Sequence, residues 1–410
     1  MRVVIQKFGG TSVATEAKRA EVAQRIAAAV RNGLNPVVVV SAMGRYGEPY
    51  ATDTLIGLLN GATGAVNRRE LDLLMSCGET ISAVVMAHTL NSQGITATAL
   101  TGEQAGIITD ERFGEARVLY VKTERLTELL AQGVVPVVTG FQGVSEHGEI
   151  TTLGRGGSDT SAAVLGVALK AACVEIYTDV DGVKTADPRL VPDALTLRRM
   201  TYAEVIEMAL LGAKVIHPRA VEIAREAGLP LKILCASGET TGTLITRGQT
   251  DGRLDSFDKD RPVVGIAHVL GRAQVQLDID GRHGSGVSQI FQSLGDAGIS
   301  VDMIQVSPES ICVTIDAKMA EHARAVLKQL GCEPKIAAGF AKVSVVGGGM
   351  HGVPGIMARV ADALSKANIM IYQTADSHAN ISCLVREEDA AETVVALHQE
   401  FDLHNQSSLV

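Results

Sequence analysis

Tryptophan is missing from the 410 residues, and aromatic side chains of all kinds make up only 3% of them. A chain this short of rings lacks the stacking platforms on which single-stranded nucleic acid is held. Excess positive charge is missing too. The net charge is −9 and the pI is near 5.6, so no general attraction to nucleic acid or an anionic membrane is expected, although a single basic pocket stays possible. Six cysteines stand at positions 77, 173, 235, 312, 332 and 383, none in a Cys-x-x-Cys pair and most inside apolar runs. They read as small buried hydrophobes in a reducing compartment, rather than as disulfides or metal ligands. No unbroken apolar run approaches the roughly 20 residues of a membrane span. The apolar start of "MRVVIQKFGG" is too short for a secretion signal. A cytoplasmic protein is therefore expected. The P-loop pattern G-x-x-x-x-G-K-[ST] occurs nowhere in the chain.

What is there begins with strand-length apolar runs: "RVVIQKFGG", "PVVVVSAMG", "GVVPVVTGFQG", "CVEIYTDVDG" and "LPLKILCA". Helical stretches separate them, the first over 12–31. Continuous rather than alternating apolarity marks strands covered on both faces, so the fold class is α/β, a mainly parallel sheet between helix layers. Ligands bind such sheets beyond the carboxyl ends of the strands. Those ends carry Lys7-Phe8-Gly9-Gly10, Ser41-Ala42-Met43-Gly44, Gly140-Phe141-Gln142-Gly143 and Thr178-Asp179, and they are expected to converge on one crevice.

Periodicity lapses in "RGQTDGRLDSFDKDRP", which reads as a linker over 247–262. Beyond it the chain repeats itself at an offset of seventy residues: Ile290 matches Val360, Leu294 matches Leu364, Ile299 matches Ile369 and Ser307 matches Ser377. Each copy reads strand, glycine turn, helix, strand, strand, helix, and is too small for a comfortable core of its own. The copies are expected to pack on each other or on a partner chain. The expected domains are 1–246, 263–335 and 336–410. "GGGMHG" fits G-x-G-x-x-G, but it lies in the second copy, with too little chain after it for a dinucleotide fold.

Four strings carry chemistry. In "KFGGTS", glycines at a strand-to-helix turn let backbone N–H groups approach an oxyanion, and Lys7 adds a full charge; the same string can be only a turn. "GRGGSD" surrounds Arg155 with bare backbone, and its fork suits a carboxylate or phosphate. Ser158 and Asp159 fall where a helix begins, as caps, as ligand contacts or as both. "TDVDGVKTADPR" is too acidic for an ordinary loop, and Asp179 and Asp187 would suit a ribose, an adenine amino group or magnesium. Lys214 in "GAKVIHPRA" would add a phosphate counter-charge. Glu79 in "SCGETISA" follows a glycine at an expected helix start, serving the helix dipole or an ammonium group. His217 is set aside as a general base, because a carboxylate nucleophile is already ionised at neutral pH.

In order and spacing, "KFGGTS", "VVVVSAMG", "SCGET", "TTLGRGGSDTSA", "TDVDGVKTADPR" and "GAKVIHPRA" resemble the aspartate kinases (aspartokinases), and the repeat resembles their paired ACT domains. "SAMGRYGEPYATDTLIGLL" is similar to the diaminopimelate-sensitive type of spore-forming Gram-positive bacteria. The resemblance implies an amino acid kinase fold followed by two ferredoxin-like ACT domains, ATP with Mg2+, and the product 4-phospho-L-aspartate. It implies Lys7, Arg155 and Asp159 as catalytic residues, with Mg2+ carried by ATP rather than by a dedicated protein ligand set. For ATP it implies Lys7, Phe8, Gly9, Gly10, Tyr177, Thr178, Val183, Lys184, Thr185, Ala186, Asp187, Pro188, Arg189, Ala213 and Lys214. For aspartate it implies Ser41, Thr52, Glu79, Arg155 and Ser158. An effector (diaminopimelate, lysine or threonine) would meet His283, Gly284, Ser285, Asp302, Gln305, Gln373 and Ser377, and a homo-oligomer would form through the ACT domains. Rival readings are an acetylglutamate, glutamate 5- or uridylate kinase, and a catalytically silent amino acid sensor.

Overall fold

A computed structural model describes residues 1–59, 66–213, 215–238, 241–248, 262–278, 285–350 and 352–405. Lys214, His283, Gly284, the side chain of Ser285 and most of the expected linker lie outside the described residues. The chain divides into two compact units. One is Met1–Val183, Thr196–Ala209 and Lys214–Arg253; the other is Lys184–Leu195, Leu210–Ala213 and Leu254–Val410. This division cuts across the boundary expected at 246. The cause is visible in the second unit, where Ala186, Val191 and Ala194 are buried in the apolar core.

Ahead of the repeat the chain forms β1 (Val3–Phe8), α1 (Gly10–Val13), α2 (Glu16–Arg31), β2 (Asn35–Val40), α3 (Thr52–Gly57) and α4 (Arg68–Ser92). Next come β3 (Ala97–Leu100), β4 (Ile107–Thr109), β5 (Val118–Val121), α5 (Glu124–Ala131), β6 (Val135–Thr139), β7 (Gln142–Ser145) and β8 (Ile150–Thr152). Then follow α6 (Gly157–Ala168), β9 (Cys173–Thr178), β10 (Arg199–Thr201), α7 (Tyr202–Leu210), α8 (Pro218–Ala227), β11 (Leu231–Cys235) and β12 (Thr243–Thr246). The helix expected over 12–31 is interrupted. Thr15 caps α2 by accepting the Lys18 N–H at 3.3 Å, so α1 ends as a separate turn.

The main sheet has the order β10-β12-β11-β9-β1-β2-β6-β3, and the pairs from β11 to β3 are parallel. Its register aligns the strand ends: Phe8 lies beside both Val40 and Tyr177, and Val40 lies beside Thr139. The β-branched runs are buried on both faces, as continuous apolarity predicts. A second sheet, β5-β4-β7-β8, flanks this unit's long helix α4. By length and composition α4 is apolar enough to cross a membrane, but half of its most apolar window is buried inside the protein. Ala83, Met86 and Leu90 belong to the core over β2 and β6.

The second unit holds β13 (Gly265–Asp278), α9 (Ser285–Asp296), β14 (Asp302–Val306), β15 (Ser310–Asp316) and α10 (Ala320–Gln329). The second copy gives β16 (Lys335–Val346), α11 (Ile356–Lys366), β17 (Gln373–Asp376), β18 (Asn380–Arg386) and α12 (Ala390–Glu400). All six strands make one sheet, β14-β15-β13-β16-β18-β17, in which the copies mirror each other across the antiparallel β13–β16 pair. A boundary at 335 therefore misses a feature. β13 shifts register between Val269 and Ala273; its first half lies with the second half of β16, and its second half with β15 and the start of β16. Each long strand serves both cores: Ile266 is buried with α11 and α12, whereas Ala273, Val275 and Leu277 are buried with α9 and α10.

Candidate active site

Lys7 stands one residue before the end of β1, and its ammonium lies 2.8 Å from Asp159 Oδ1, each side chain only 13% exposed. Asp159 and Ser158 are not helix caps. The cap is Gly156, held at φ 67°, and α6 starts at Gly157, so both residues sit in the first helical turn, Asp159 turned to Lys7 and Ser158 towards Ser41. Gly156 has no room for a side chain: a Cβ there would fall 2.1 Å from Cγ of His217. The His217 backbone N–H donates to Asp159 Oδ2 at 3.3 Å. Ser41 donates to the Ser158 hydroxyl at 3.0 Å, bringing the end of β2 to the same helix. Gly10 closes the set, because a Cβ there would meet the Ala42 carbonyl oxygen at 2.3 Å.

Glu79 is expected at a helix start; it lies instead in the interior of α4. Its neighbour Gly78 lies in mid-helix, and its bare Cα lets Ala42 and the Tyr50 carbonyl come close. One Glu79 oxygen accepts the Ala42 N–H at 3.0 Å; the other is buried with no partner among the described residues. Burial pushes the carboxyl up to about 7. Arg155 is exposed and makes no side-chain ion pair or hydrogen bond among the described residues. Thr52 opens α3, which packs on α4.

At the ends of β1, β2 and β9 lies a cleft of about 380 Å³, lined by Thr11, Ser12, Gly44, Arg45, Thr178 and Asp179 among others. Arg45 pairs with Asp179 at 2.8 Å. Of the expected nucleotide residues, Phe8 and Tyr177 turn their rings into the core, stacked at 4.6 Å. Only the Tyr177 backbone reaches the edge, where its carbonyl accepts the Gly9 N–H at 3.3 Å. Val183 is buried, its N–H held by Thr243 Oγ1 at 2.8 Å. Lys184–Arg189 and Ala213 belong to the second unit. There the Thr185 hydroxyl is buried 2.9 Å from His398 Nε2, and Ala186 is part of the core. Asp187 is clasped by Arg189, whose hydrogen bonds hold the carboxyl below its usual range, while Pro188 and Arg189 are exposed.

The expected effector residues separate by role. Burial works against ionisation of Asp302, yet Lys342, at 2.7 Å, keeps its carboxyl below the ordinary range. Gln305 is exposed on the edge strand β14. Gln373 is a buried tie between the copies, donating to the Met303 carbonyl and accepting from Gln274 at 3.1 Å. Ser377 accepts the Asn380 N–H at 3.2 Å, and its repeat mate Ser307 accepts the Ser310 N–H at 3.0 Å, so both shape a turn. Two residues of the site escape the sequence reading. Arg45, beside Gly44, is visible only as one more strand-end cation. Asp72, one of three acids in α4 with Glu70 and Glu79, gives no signal at all.

The amino acid kinase family model matches residues 2–235, and an ACT domain model matches 282–330 and 343–401. Aspartokinase 1 of Bacillus subtilis (strain 168) is 45% identical over 403 residues, covering 98% of this chain and all of that protein. The chain belongs to the aspartokinase family. An aspartokinase from Thermus thermophilus is 39% identical over 98% of this chain and 99% of its own. Among solved aspartokinases, the Escherichia coli aspartokinase III complex with aspartate and ADP (R-state) matches with a TM-score of 0.79 at 26% identity, covering 97% of this chain and 99% of the other. The complex of that enzyme with lysine and aspartate (T-state) matches with a TM-score of 0.75 at 27% identity, with the same coverage. The family expected from the six strings, the ACT domains expected from the repeat and the α/β architecture expected from the apolar runs are all met.

Proposed function

We propose that the strand-edge residues of the first unit transfer the γ-phosphoryl group of ATP to the side-chain carboxylate of L-aspartate, giving 4-phospho-L-aspartate. The observation that carries this reading is the Lys7–Asp159 pair, 2.8 Å apart, at the edge where four parallel strands end. Phosphoryl transfer asks for positioning and positive charge, and the acceptor is already ionised. Lys7 and the N–H groups behind Gly9 and Gly10 stabilise the charge on the migrating group. Asp159 holds Lys7 in place and keeps its ammonium aimed. The free oxygen of Glu79 takes the substrate ammonium, and Arg155 takes its α-carboxylate. Ser41 and Ser158 share a hydrogen bond that a substrate oxygen can enter. The nucleotide lies along the cleft beside Thr178, with Arg45 and Asp179 at its rim.

Among the described residues no three His, Cys, Asp or Glu side chains gather as a metal cluster, and Asp159 and Asp179 each face a cation. These single carboxylates fit a Mg2+ brought in on ATP, where it would neutralise phosphate charge. We assign the second unit to feedback control by an aspartate-family amino acid, with Asp302 and Gln305 at the exposed edge of its sheet. The products of such a branch (diaminopimelate, lysine, threonine) are the effectors to try, with association of two chains through the same sheet. A cytoplasmic setting suits an enzyme supplied with ATP and aspartate.

The test is turnover with ATP and either aspartate or glutamate, the acyl phosphate being trapped by hydroxylamine. Hydroxamate is expected with aspartate and not with glutamate. Equal yields from both would overturn the assignment, and no yield from either would favour a silent sensor.

A further inference from the structure

Asp72 lies in the first unit, fully buried at 0% exposure, and no Lys or Arg among the described residues pairs with it. Its charge is instead met by donors from two distant segments, the end of β8 and the loop at Gly114. Oδ2 accepts the Thr152 N–H at 2.7 Å and the Gly114 N–H at 2.9 Å; Oδ1 accepts the Thr152 hydroxyl at 2.8 Å. Thr152 is the last residue of β8, and the chain runs on from it directly into Gly154-Arg155-Gly156. The two segments are also bound to each other, since the Ala116 N–H donates to the Thr152 carbonyl at 2.8 Å. From the other side Arg219 donates to the carbonyls of Leu153 at 3.1 Å and Ala116 at 3.2 Å. The arginine turn is thereby gripped from both sides just before it reaches solvent.

The place of Asp72 on its helix adds a second point. It precedes Glu79 by about two turns of α4, so both side chains leave the same helix face from Cα positions about 10 Å apart along the axis. One grips the substrate ammonium in the reading above; the other grips the strand that presents Arg155. Ammonium and α-carboxylate are attached to one carbon of an amino acid, so their receptors must keep a fixed separation.

We propose that Asp72 is a positioning residue for amino acid recognition, making α4 the single rigid element that sets the distance from Glu79 to Arg155. The proposal rests on the assignment of Arg155 to the α-carboxylate. It predicts an effect on aspartate and not on ATP, since nothing that Asp72 touches lines the nucleotide cleft.

The experiment measures kcat and both KM values for Asp72→Ala, Asp72→Asn, Thr152→Val and Arg155→Ala, and for Asp72→Ala combined with Arg155→Ala. Asp72→Ala strands three donors and is expected to raise the aspartate KM by about thirtyfold, with the ATP KM held within about twofold. Asp72→Asn keeps an acceptor for the two N–H groups and can donate to the Thr152 hydroxyl, so most of the loss is recovered. Thr152→Val removes one bond and raises the aspartate KM about threefold; should Asp72→Ala fail to fold, this variant carries the test. On an Arg155→Ala background, Asp72→Ala adds no further rise. Parallel rises in both KM values, an Asn variant as impaired as Ala, an unaltered aspartate KM in Thr152→Val, or an undiminished effect without Arg155 would each overturn the proposal. If Arg155→Ala alone leaves the aspartate KM unchanged, the assignment of Arg155 fails and the proposal falls with it.

Discussion

Glu79 and Gln373 are both buried polar side chains, one in each unit, and they are treated in opposite ways. Gln373 uses its amide and its carbonyl on Met303 and Gln274 and so joins the two copies of the repeat. Glu79 spends one oxygen on the Ala42 N–H and leaves the other buried without a partner among the described residues. The contrast extends to their neighbours. In the repeat, Lys342 is matched by Asp302, and the paired serines Ser307 and Ser377 close their own turns. At the strand edge Arg155 is left open, and the backbone takes conformations that only glycine tolerates without strain. A fold that satisfies its polar groups in one place and leaves them incomplete in another marks the second place as the one a ligand completes.

The largest effect expected from this contrast is on Lys7. Lys7→Ala should lower kcat by about a thousandfold, the cost of losing a charge aimed at the transition state. Binding of the effector by the second unit should be unchanged when followed by calorimetry. Next comes Glu79→Gln, expected to raise the aspartate KM about a hundredfold, because a buried ammonium loses its counter-charge. The sign of its pH dependence follows from burial. With the carboxyl pushed up to about 7, Glu79 is protonated below that pH, so the wild-type aspartate KM should climb as the pH falls through 7. Stability moves the other way. A raised folded pKa contributes stability that is full below the unfolded value and is lost as the pH rises through the folded one. Glu79→Gln should therefore be the more stable protein above pH 7, by about 3 kcal/mol in urea titrations, and lose that advantage near pH 4.

How much of this contrast could be read from the chain differs between its two sides. Unbroken valine runs announced the parallel sheet, because only strands covered on both faces can be apolar at every position. The repeat followed from matched positions such as Ile290 and Val360, but the mirrored joining of its copies into one sheet did not, since the matches left packing on each other or on a partner chain equally open. Residues whose position depends on tertiary approach were misplaced. Gly78 reads locally as a helix boundary, yet it lies within a 25-residue helix, a glycine there being required by the close approach of Ala42 rather than by a helix end. Of the readings open for Ser158 and Asp159 (caps, ligand contacts or both), the cap reading gives way to Gly156, whose left-handed turn cannot be inferred from a glycine alone. Asp72 was invisible: its partner Thr152 is 80 residues away. The halves of β13 serve different cores through a bulge at Val269–Ala273, which no period in the sequence marks.

Two smaller effects sharpen the contrast. Gln373→Leu should cost about 1–3 kcal/mol of stability, since the Met303 carbonyl is left buried without its donor. Turnover without effector should stay at the wild-type level. The smallest change is expected for Arg45→Ala. The Arg45–Asp179 pair is more than half exposed on both sides, so thermal stability should fall by less than about 1 kcal/mol and the ATP KM should rise only a few-fold.

Calorimetric titration of the ADP-bound enzyme with aspartate at pH 7, in buffers of different ionisation enthalpy, tests most directly whether the ligand completes what the fold leaves open. Entry of an ammonium beside Glu79 should expel about half a proton per site from wild-type protein and none from Glu79→Gln. Aspartate binding with no proton release in the wild type, or with equal release in the variant, would contradict the account.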